Sequence, residues 1–313
     1  MGYLSLTISI QLALAHPNDI SERATLSPVS VVSTRNLTGD LKLNTEELIN
    51  KTVDKFGGNG SCPPEIAIYI HSFNRDESEA GEEFNRIQSS LNYNNFIIPL
   101  IGFSWDSKTD PNITKSWQEA KINAENNGPK LANFTMGLKE ECQNTDIRLI
   151  AHSLGAAVID STLVRLDNNS NWNSKIASVH LIGAAINNQL IAKNTPFGNA
   201  IENVVDKFYN LYNPKDDGLE VNQLIENHDP LGLVGAAKGT APLNYNDTNV
   251  AYEIPPFSDA DGDGNVEECF EKNNSVLSRG DNHCGYIGFR QPFAGSLIDD
   301  GAMNVVVRDW IKS

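Results

Sequence analysis

The sequence has few basic residues, few cysteines and no long apolar run. It carries 24 Lys and Arg against 40 Asp and Glu, a net charge of −16, and it has no basic stripe that would favour nucleic-acid binding. No apolar run reaches the roughly 18 residues that a membrane span needs, so we expect no integral membrane segment. The four cysteines include no C-x-x-C pair, which argues against a zinc site.

The first 60 residues differ in composition from the remainder. Residues 4–15 are largely apolar and end in an A-x-A-like cleavage site, although no Lys or Arg precedes Arg23. We predict a signal peptide over residues 1–15 and a polar N-terminal leader with peripheral elements over 16–60. The chain has 313 residues and is 40% apolar, enough for one large core, so we expect a single domain over 61–313.

Glycosylation sequons and the even cysteine count favour export. An Asn-rich chain also produces N-x-S/T sequons by chance, so each one alone is weak evidence. Four cysteines can pair completely, as is usual outside the cell. We predict a secreted or cell-surface glycoprotein. The sequons begin at Asn36, Asn50, Asn59, Asn112, Asn133, Asn168, Asn246 and Asn273.

From residue 61 onward, short apolar runs alternate with segments of helical composition. The runs suit buried parallel strands. We predict strands over residues 66–70, 96–105, 146–151, 176–182 and 204–212. We predict helices over residues 77–91, 114–141 (with a break at 126–129), 154–166 and 299–312. This alternation predicts an α/β fold with a mostly parallel central sheet and helices on both faces.

The most informative segment is Ala151-His152-Ser153-Leu154-Gly155, which lies between a predicted strand and a predicted helix. A serine in this context is typical of a nucleophile elbow, a strained strand-to-helix turn that exposes the hydroxyl at the end of a sheet. Small residues are required two before and two after the serine, and Ala151 and Gly155 meet this requirement. We therefore predict Ser153 as a nucleophile.

A nucleophilic serine needs a base, and the base needs an orienting acid. In the fold that carries such an elbow, the chain order is Ser, then Asp or Glu, then His. His283, in a loop shortly before the last predicted helix, fits better than His228. Asp216 and Asp217 both follow a predicted strand; Leu219, an apolar residue three positions after Asp216, favours Asp216. We expect the other aspartate to cap a helix or turn.

An oxyanion hole needs two backbone N–H groups aimed at the developing charge. One should come from Leu154, the residue after the nucleophile. The other should come from Phe73, in the loop that directly follows the strand at 66–70. His71, in the same loop, precedes the serine in the chain, so we expect it to shape the loop. We expect His152 to pack or hydrogen-bond locally and His180 to be a core residue.

Together these segments resemble the α/β-hydrolase superfamily, and its lipase-like secreted prokaryotic members in particular. The resemblance rests on five segments and covers roughly residues 62–313. It departs from the usual pattern at Ala151, where most members have glycine, and at His71-Ser72, where His-Gly is usual. It implies a serine hydrolase that cleaves small-molecule or lipid esters through a Ser153–Asp216–His283 triad, without a catalytic cofactor. The segments are residues 68–72, 102–106, 151–155, 212–217 and 283–286.

Other functions remain open at this point. A non-catalytic, calcium-stabilised surface or adhesion module would keep the fold without turnover. The same triad could instead act on amides or thioesters, or transfer an acyl group to an alcohol. Residues 218–270 form an insert between acid and base, and its apolar part, 230–237, could be a lid, the wall of an acyl pocket or ordinary core.

The insert includes an acidic, glycine-containing loop. It matches the first nine positions of an EF-hand-type loop, but the twelfth position is Phe270 instead of the bidentate Glu. We predict a partial loop that holds a structural Ca²⁺, with an acidic surface turn as the alternative. The calcium ligands would be Asp259, Asp261, Asp263, Asn265 and Glu267.

The resemblance also implies how the cysteines pair. In an α/β hydrolase the strands that follow Cys62 and Cys142 are parallel neighbours, so both cysteines would lie at the same edge of the sheet. A Cys62–Cys142 bridge leaves Cys269–Cys284, which would tie the acidic loop to the loop that carries His283. Four free thiols are the alternative.

Overall fold

The computed structural model describes residues 29–35, 62–254, 282–290 and 297–312, with only the backbone described at 289–290 and 297–299. The expected signal peptide, most of the leader and the acidic loop lie outside the described residues. Cys269 lies outside them as well.

A seven-stranded, all-parallel sheet forms the centre of the described chain, in the order β1-β3-β2-β4-β5-β6-β7. Helices cover both of its faces, so the predicted fold class is confirmed. The strands are β1 Ser30–Ser33, β2 Glu65–Ile70, β3 Leu100–Ser104, β4 Asp146–His152, β5 Ile176–Ile182, β6 Val205–Tyr212 and β7 Tyr245–Asn249. Two short strands, β8 Phe289–Arg290 and β9 Leu297–Asp299, pair antiparallel apart from this sheet.

Seven α-helices occur in the described part of the chain. Four of them (α2, α3, α4 and, through Leu231, α6) contribute to the apolar core on one face of the sheet, and α1 and α7 to the core on the other. None of the described helices combines the length and the apolar character needed to cross a bilayer. The helices are α1 Glu77–Tyr93, α2 Ile113–Glu141, α3 Gly155–Asp167, α4 Pro196–Val204, α5 Asp217–Glu226, α6 Leu231–Val234 and α7 Met303–Lys312. Two 3₁₀ helices span Asn188–Ile191 and Asn282–Ile287.

Strand β2 shows why both faces must be covered. Its side chains alternate between the two apolar cores: Ile66, Ile68 and Ile70 lie in one, and Ala67 and Tyr69 in the other. All five are fully buried. Such a strand reads as a continuous apolar run because neither face meets water.

The predicted break in the long helix was wrong, because α2 runs without interruption through Pro129. Proline cannot donate to the carbonyl four residues earlier, which is that of Glu125. The Ser161 hydroxyl of α3 donates to this carbonyl instead, at 2.7 Å. The neighbouring helix therefore satisfies the backbone that the proline leaves open.

Some element boundaries also differ from the prediction. Strand β3 begins at Leu100, after Pro99, and not at residue 96. The last helix begins at Met303, because residues 297–299 form β9. Residues 30–33 of the polar leader form β1, which pairs parallel with β3 at the edge of the sheet. The short strand β7 and helices α4 and α5 were not predicted.

A disulfide joins Cys62 and Cys142, whose Cα atoms are 5.6 Å apart. The two residues lie just before β2 and β4, which are paired so that Glu65 is opposite Asp146. The bridge therefore lies at the amino ends of these strands, opposite the end that carries Ser153. Cys284 is also disulfide-bonded.

Candidate active site

Ser153 lies in a sharp turn between β4 and α3 and has a φ of +55°. This left-handed conformation costs free energy for a residue with a Cβ atom, so its presence marks a constrained position. The Ser153 amide donates to the Ile182 carbonyl at 3.1 Å, and the Ser153 carbonyl accepts from the Ala185 amide at 3.1 Å. A Cβ atom at Gly155 would lie 2.8 Å from the Ile70 carbonyl oxygen. The close approach of β2 thus explains the glycine two residues after the serine.

His283 and Asp216 meet at the carboxyl end of the sheet. The His283 Nδ1 atom lies 2.8 Å from Asp216 Oδ2, and Asp216 is fully buried after β6. The other carboxylate oxygen of Asp216 accepts from the Leu219 amide at 2.9 Å and so caps α5. The sequence favoured the second aspartate as the cap, but Asp216 has both contacts. Asp217 lies in the first turn of α5.

Two side chains hold the segment that carries His283, and sequence reasoning did not identify this role for either. The Asn282 amide group donates to the Lys215 carbonyl at 2.7 Å, and its oxygen accepts from the Asp217 amide at 3.1 Å. His152 Nε2 lies 2.9 Å from the carbonyl oxygen of His283, 131 residues away, instead of bonding locally. Burial, together with the nearby His283, lowers the pKa of His152 to about 3, so its ring is neutral and donates from Nε2.

The amides expected to form the oxyanion hole are open. Four of the five backbone amides from residue 72 to 76 donate hydrogen bonds. The exception is Phe73, which has no acceptor within the described parts of the chain. The same is true of Leu154, at the N-terminus of α3. A backbone amide without an acceptor can donate to a bound oxygen, so these two amides keep the oxyanion hole as a prediction.

His71 shapes the loop after β2. Its Nδ1 lies 2.8 Å from the Ser72 carbonyl, and its Nε2 accepts from the Trp105 amide at 3.0 Å and from Arg35 at 3.1 Å. Burial, together with the nearby Arg35 charge, lowers the pKa of His71 to about 4. The ring is therefore neutral, and both of its nitrogens have partners.

Five apolar side chains form a packed cluster that we call the apolar wall, and three of its members are bonded or adjacent to the candidate site residues. Ala185 donates its amide to Ser153, Leu219 donates its amide to Asp216, and Phe73 carries the open amide. The Phe73 and Trp117 rings meet edge to face, 4.9 Å apart, and both are partly exposed. The apolar wall consists of Phe73, Trp117, Ala185, Leu219 and Leu233.

The segment at 230–237 packs closely beside the nucleophile. Leu231 and Leu233 are buried, and the backbone at Gly232 lies against Gly183 and Ala184, at the end of β5. The Gly232 amide donates to the Ala184 carbonyl at 2.9 Å. These contacts fit ordinary core better than a detached lid, and a wall of an acyl pocket stays a prediction.

The predicted calcium site and the alternative base remain to be placed. The calcium-ligand candidates, residues 259–267, lie outside the described chain, so Ca²⁺ binding there stays a prediction. Among the described residues, no group of three or more His, Cys, Asp or Glu side chains could hold a metal ion. His228, the alternative base, follows α5, whereas the Asp216 carboxylate contacts His283.

Residues 46–252 match the family model described as "Alpha/beta hydrolase of unknown function (DUF900)", which is more than half of the 313 residues. The chain belongs to this family. The resemblance found from the sequence motifs is therefore confirmed at the level of the superfamily, and the protein is an α/β hydrolase.

Comparisons with individual proteins are less informative than the family match. The hydrolase is similar to a solved structure titled "Trichoderma reesei cutinase in complex with a C11Y4 phosphonate inhibitor", with 17% identity and a TM-score of 0.26. That similarity covers 51% of this chain and 71% of the cutinase chain. No curated protein matches the hydrolase.

Proposed function

We propose that this α/β hydrolase cleaves carboxylic esters through an acyl-enzyme on Ser153. The observation that carries the proposal is the contact between the buried Asp216 carboxylate and His283 Nδ1, at 2.8 Å. The carbonyl of His283 is in turn hydrogen-bonded to His152, the residue before the strained Ser153. Serine, acid and base follow one another in the chain order of this fold. A carboxylate that orients an imidazole, which in turn takes the proton of a serine, is the arrangement that activates a hydroxyl for acyl transfer.

Each residue has a defined part in the proposed reaction. His283 Nε2 takes the proton as the Ser153 oxygen attacks the acyl carbon, and it returns that proton to the departing alcohol. Asp216 holds the Nδ1–H tautomer and stabilises the imidazolium. The open amides of Phe73 and Leu154 bind the oxygen that becomes negative. Water then attacks the acyl-enzyme by the same route and releases the acid.

The apolar wall supports an ester with an apolar acyl group as the substrate. Two of its members, Ala185 and Leu219, hydrogen-bond to Ser153 and Asp216 through their amides. Trp117 is held in place by its Nε1–H, which donates to Glu226 at 2.6 Å. Lys121 pairs with the same carboxylate at 2.7 Å. A fixed aromatic ring next to the open amide would contact the acyl chain of a bound ester through burial of apolar area.

We also propose that the protein acts outside the cytoplasm. The Cys62–Cys142 disulfide supports this, because disulfides persist in oxidising compartments.

The first test is covalent labelling with a fluorophosphonate probe. Wild-type protein should be labelled at Ser153 and should hydrolyse p-nitrophenyl esters, because the probe and the esters need the same activated hydroxyl. The Ser153→Ala variant should take up no probe. A wild-type protein that is folded, as judged by circular dichroism, and yet unlabelled would refute the enzyme proposal and favour a non-catalytic module. Matched amide and thioester substrates test the other acyl-transfer alternatives.

Chain-length preference tests the apolar wall. The Trp117→Ala variant should lose about tenfold in kcat/KM for octanoyl esters relative to acetyl esters, since about 1.4 kcal/mol of apolar contact to the longer chain is removed. Trp172→Ala is the matched control. Trp172 is also partly buried, but it precedes β5 and so lies toward the amino ends of the strands, whereas Ser153 follows the carboxyl end of β4. Equal losses for both chain lengths would mean that the wall does not contact the acyl group.

A further inference from the structure

In the loop between β2 and α1, the Phe73 amide has no acceptor among the described residues, whereas its neighbours donate hydrogen bonds. The Asn74 amide donates to the Ser107 carbonyl at 3.1 Å, and the Arg75 amide to the Ser107 hydroxyl at 3.0 Å. Asn74 itself has a φ of +57°. A backbone in this conformation needs surrounding contacts that hold it there. The direction of the Phe73 amide therefore depends on what fixes its neighbours.

Glu83, a buried carboxylate on α1, fixes the residue before Phe73. It accepts from the Ser72 amide at 3.2 Å and from the Ser72 hydroxyl at 2.6 Å. It also accepts from the Tyr69 hydroxyl at 2.9 Å and from Arg75 Nε at 2.6 Å. Its side chain is 3% exposed. Four donors satisfy both oxygens of the carboxylate, and all four belong to this loop or to the end of β2.

Arg75 provides the compensating charge on the other side of Phe73. Burial by itself would raise the pKa of Glu83, but the Arg75 guanidinium and the hydrogen bonds hold that pKa well below its usual range. Arg75 also reaches the segment that carries the base, with Nη2 3.7 Å from the Cys284 sulfur. Arg35, from the segment that contains β1, donates to the Arg75 and Asp76 carbonyls at 3.1 and 3.2 Å.

We propose that the Glu83–Arg75 ion pair is the positioning device of the oxyanion hole: it holds the residues on both sides of Phe73 so that only the Phe73 amide points at the developing oxyanion. Neither side chain touches the substrate, and both are positioning residues. The inference rests on the proposed function. A buried ion pair often adds no net stability to a fold. A role in holding this loop therefore explains the position of the Glu83–Arg75 pair better than a contribution to stability does.

The test compares Glu83→Gln with Glu82→Gln, an exposed neighbour on the same helix. In the Glu83→Gln variant the new side-chain amide cannot accept from Arg75, Ser72 and Tyr69 together, so the loop should relax. We expect kcat for an acetyl ester to fall by about 10- to 100-fold, with KM within about threefold, because a displaced oxyanion donor acts in the transition state. Affinity for a boronic acid, which forms a tetrahedral anion on the serine, should fall by the same factor. The Glu82→Gln variant should match the wild type.

Hydrogen exchange of the peptide spanning residues 71–76 gives a readout that needs no substrate. Glu83→Gln should exchange faster in this peptide while peptides from β4 and β5 remain protected as in the wild type. Unchanged exchange there would overturn the proposal even if the protein hydrolysed no ester. A lower melting temperature with kcat and boronic acid affinity unchanged would also overturn it, since that is the result of a purely structural pair.

Tyr69→Phe is the second variant, in case Glu83→Gln does not fold. It removes one of the four donors and keeps the ring, which packs edge to face on Phe84. We expect a smaller loss of kcat, about three- to tenfold, in the same direction. An active wild type together with unaltered kcat in this variant and in Glu83→Gln would refute the positioning role and leave the proposed hydrolysis intact.

Discussion

The Asp216→Asn variant should lose about 10⁴-fold in kcat while the protein stays folded. An amide in place of the Oδ2 carboxylate oxygen cannot hold the His283 Nδ1–H tautomer, because the NH₂ group would face another donor. Asparagine is as good a helix cap as aspartate, so its oxygen can still accept from the Leu219 amide. The measurement is steady-state hydrolysis of a p-nitrophenyl ester, with thermal unfolding to confirm that α5 is intact.

Asp217→Asn is the matched control for this prediction. The two aspartates are adjacent, and sequence reasoning left both open as the acid. Asp217 lies in the first turn of α5, and the His283 ring contacts Asp216. The Asp217→Asn variant should therefore keep kcat within about twofold of the wild type, as expected for a substitution outside the triad. If Asp217→Asn gave the larger loss, the assignment of the acid would be wrong.

Removal of the Cys62–Cys142 bridge should lower the free energy of unfolding by about 4 kcal/mol. The two cysteines are 80 residues apart, and the entropy that such a cross-link removes from the unfolded chain grows with the length of the closed loop. The double variant Cys62→Ser, Cys142→Ser, measured by urea unfolding, checks this value. The double variant is preferable to a reducing agent because Cys284 is disulfide-bonded too.

The same variant separates stability from catalysis. The bridge lies at the amino ends of β2 and β4, and the Ser153 turn follows the carboxyl end of β4. At a temperature where the variant is folded, kcat/KM should equal that of the wild type. An unchanged unfolding midpoint would show that the bridge does not form in solution.

The central strands could be predicted because they are buried on both faces. Strands β2, β4 and β5 each appear as a continuous apolar run, and the structure places them within one residue of the predicted limits. Strand β1 could not be found in this way. It lies at the edge of the sheet, where Val31 is 44% exposed, so its sequence carries no apolar run to mark it. Polar β7, at the other edge, was missed for the same reason.

Much of the candidate site could be read from residue order. The turn at Ser153, with Gly155 two residues later, is a local feature of a few residues, and its left-handed conformation is present in the structure. Asp216 and His283 were predicted because chain order restricts the choice, and the structure brings these two side chains into contact. The contacts that hold them were not accessible, because Asn282 is 67 residues from Lys215 and His152 is 131 residues from His283.

The sequence by itself determined the sheet interior, the serine turn and the candidate triad, because burial, turn geometry and chain order leave marks within a few residues. Only the tertiary structure decided which aspartate faces the histidine, how α2 continues through Pro129 and why a buried carboxylate at Glu83 is tolerated. Each of these depends on partners from distant segments: the segment at 282–287 for Asp216, the Ser161 hydroxyl for the Glu125 carbonyl, and the loop donors for Glu83. Hydrogen bonds between such segments form only when the folded sheet brings them together, so no local pattern predicts them.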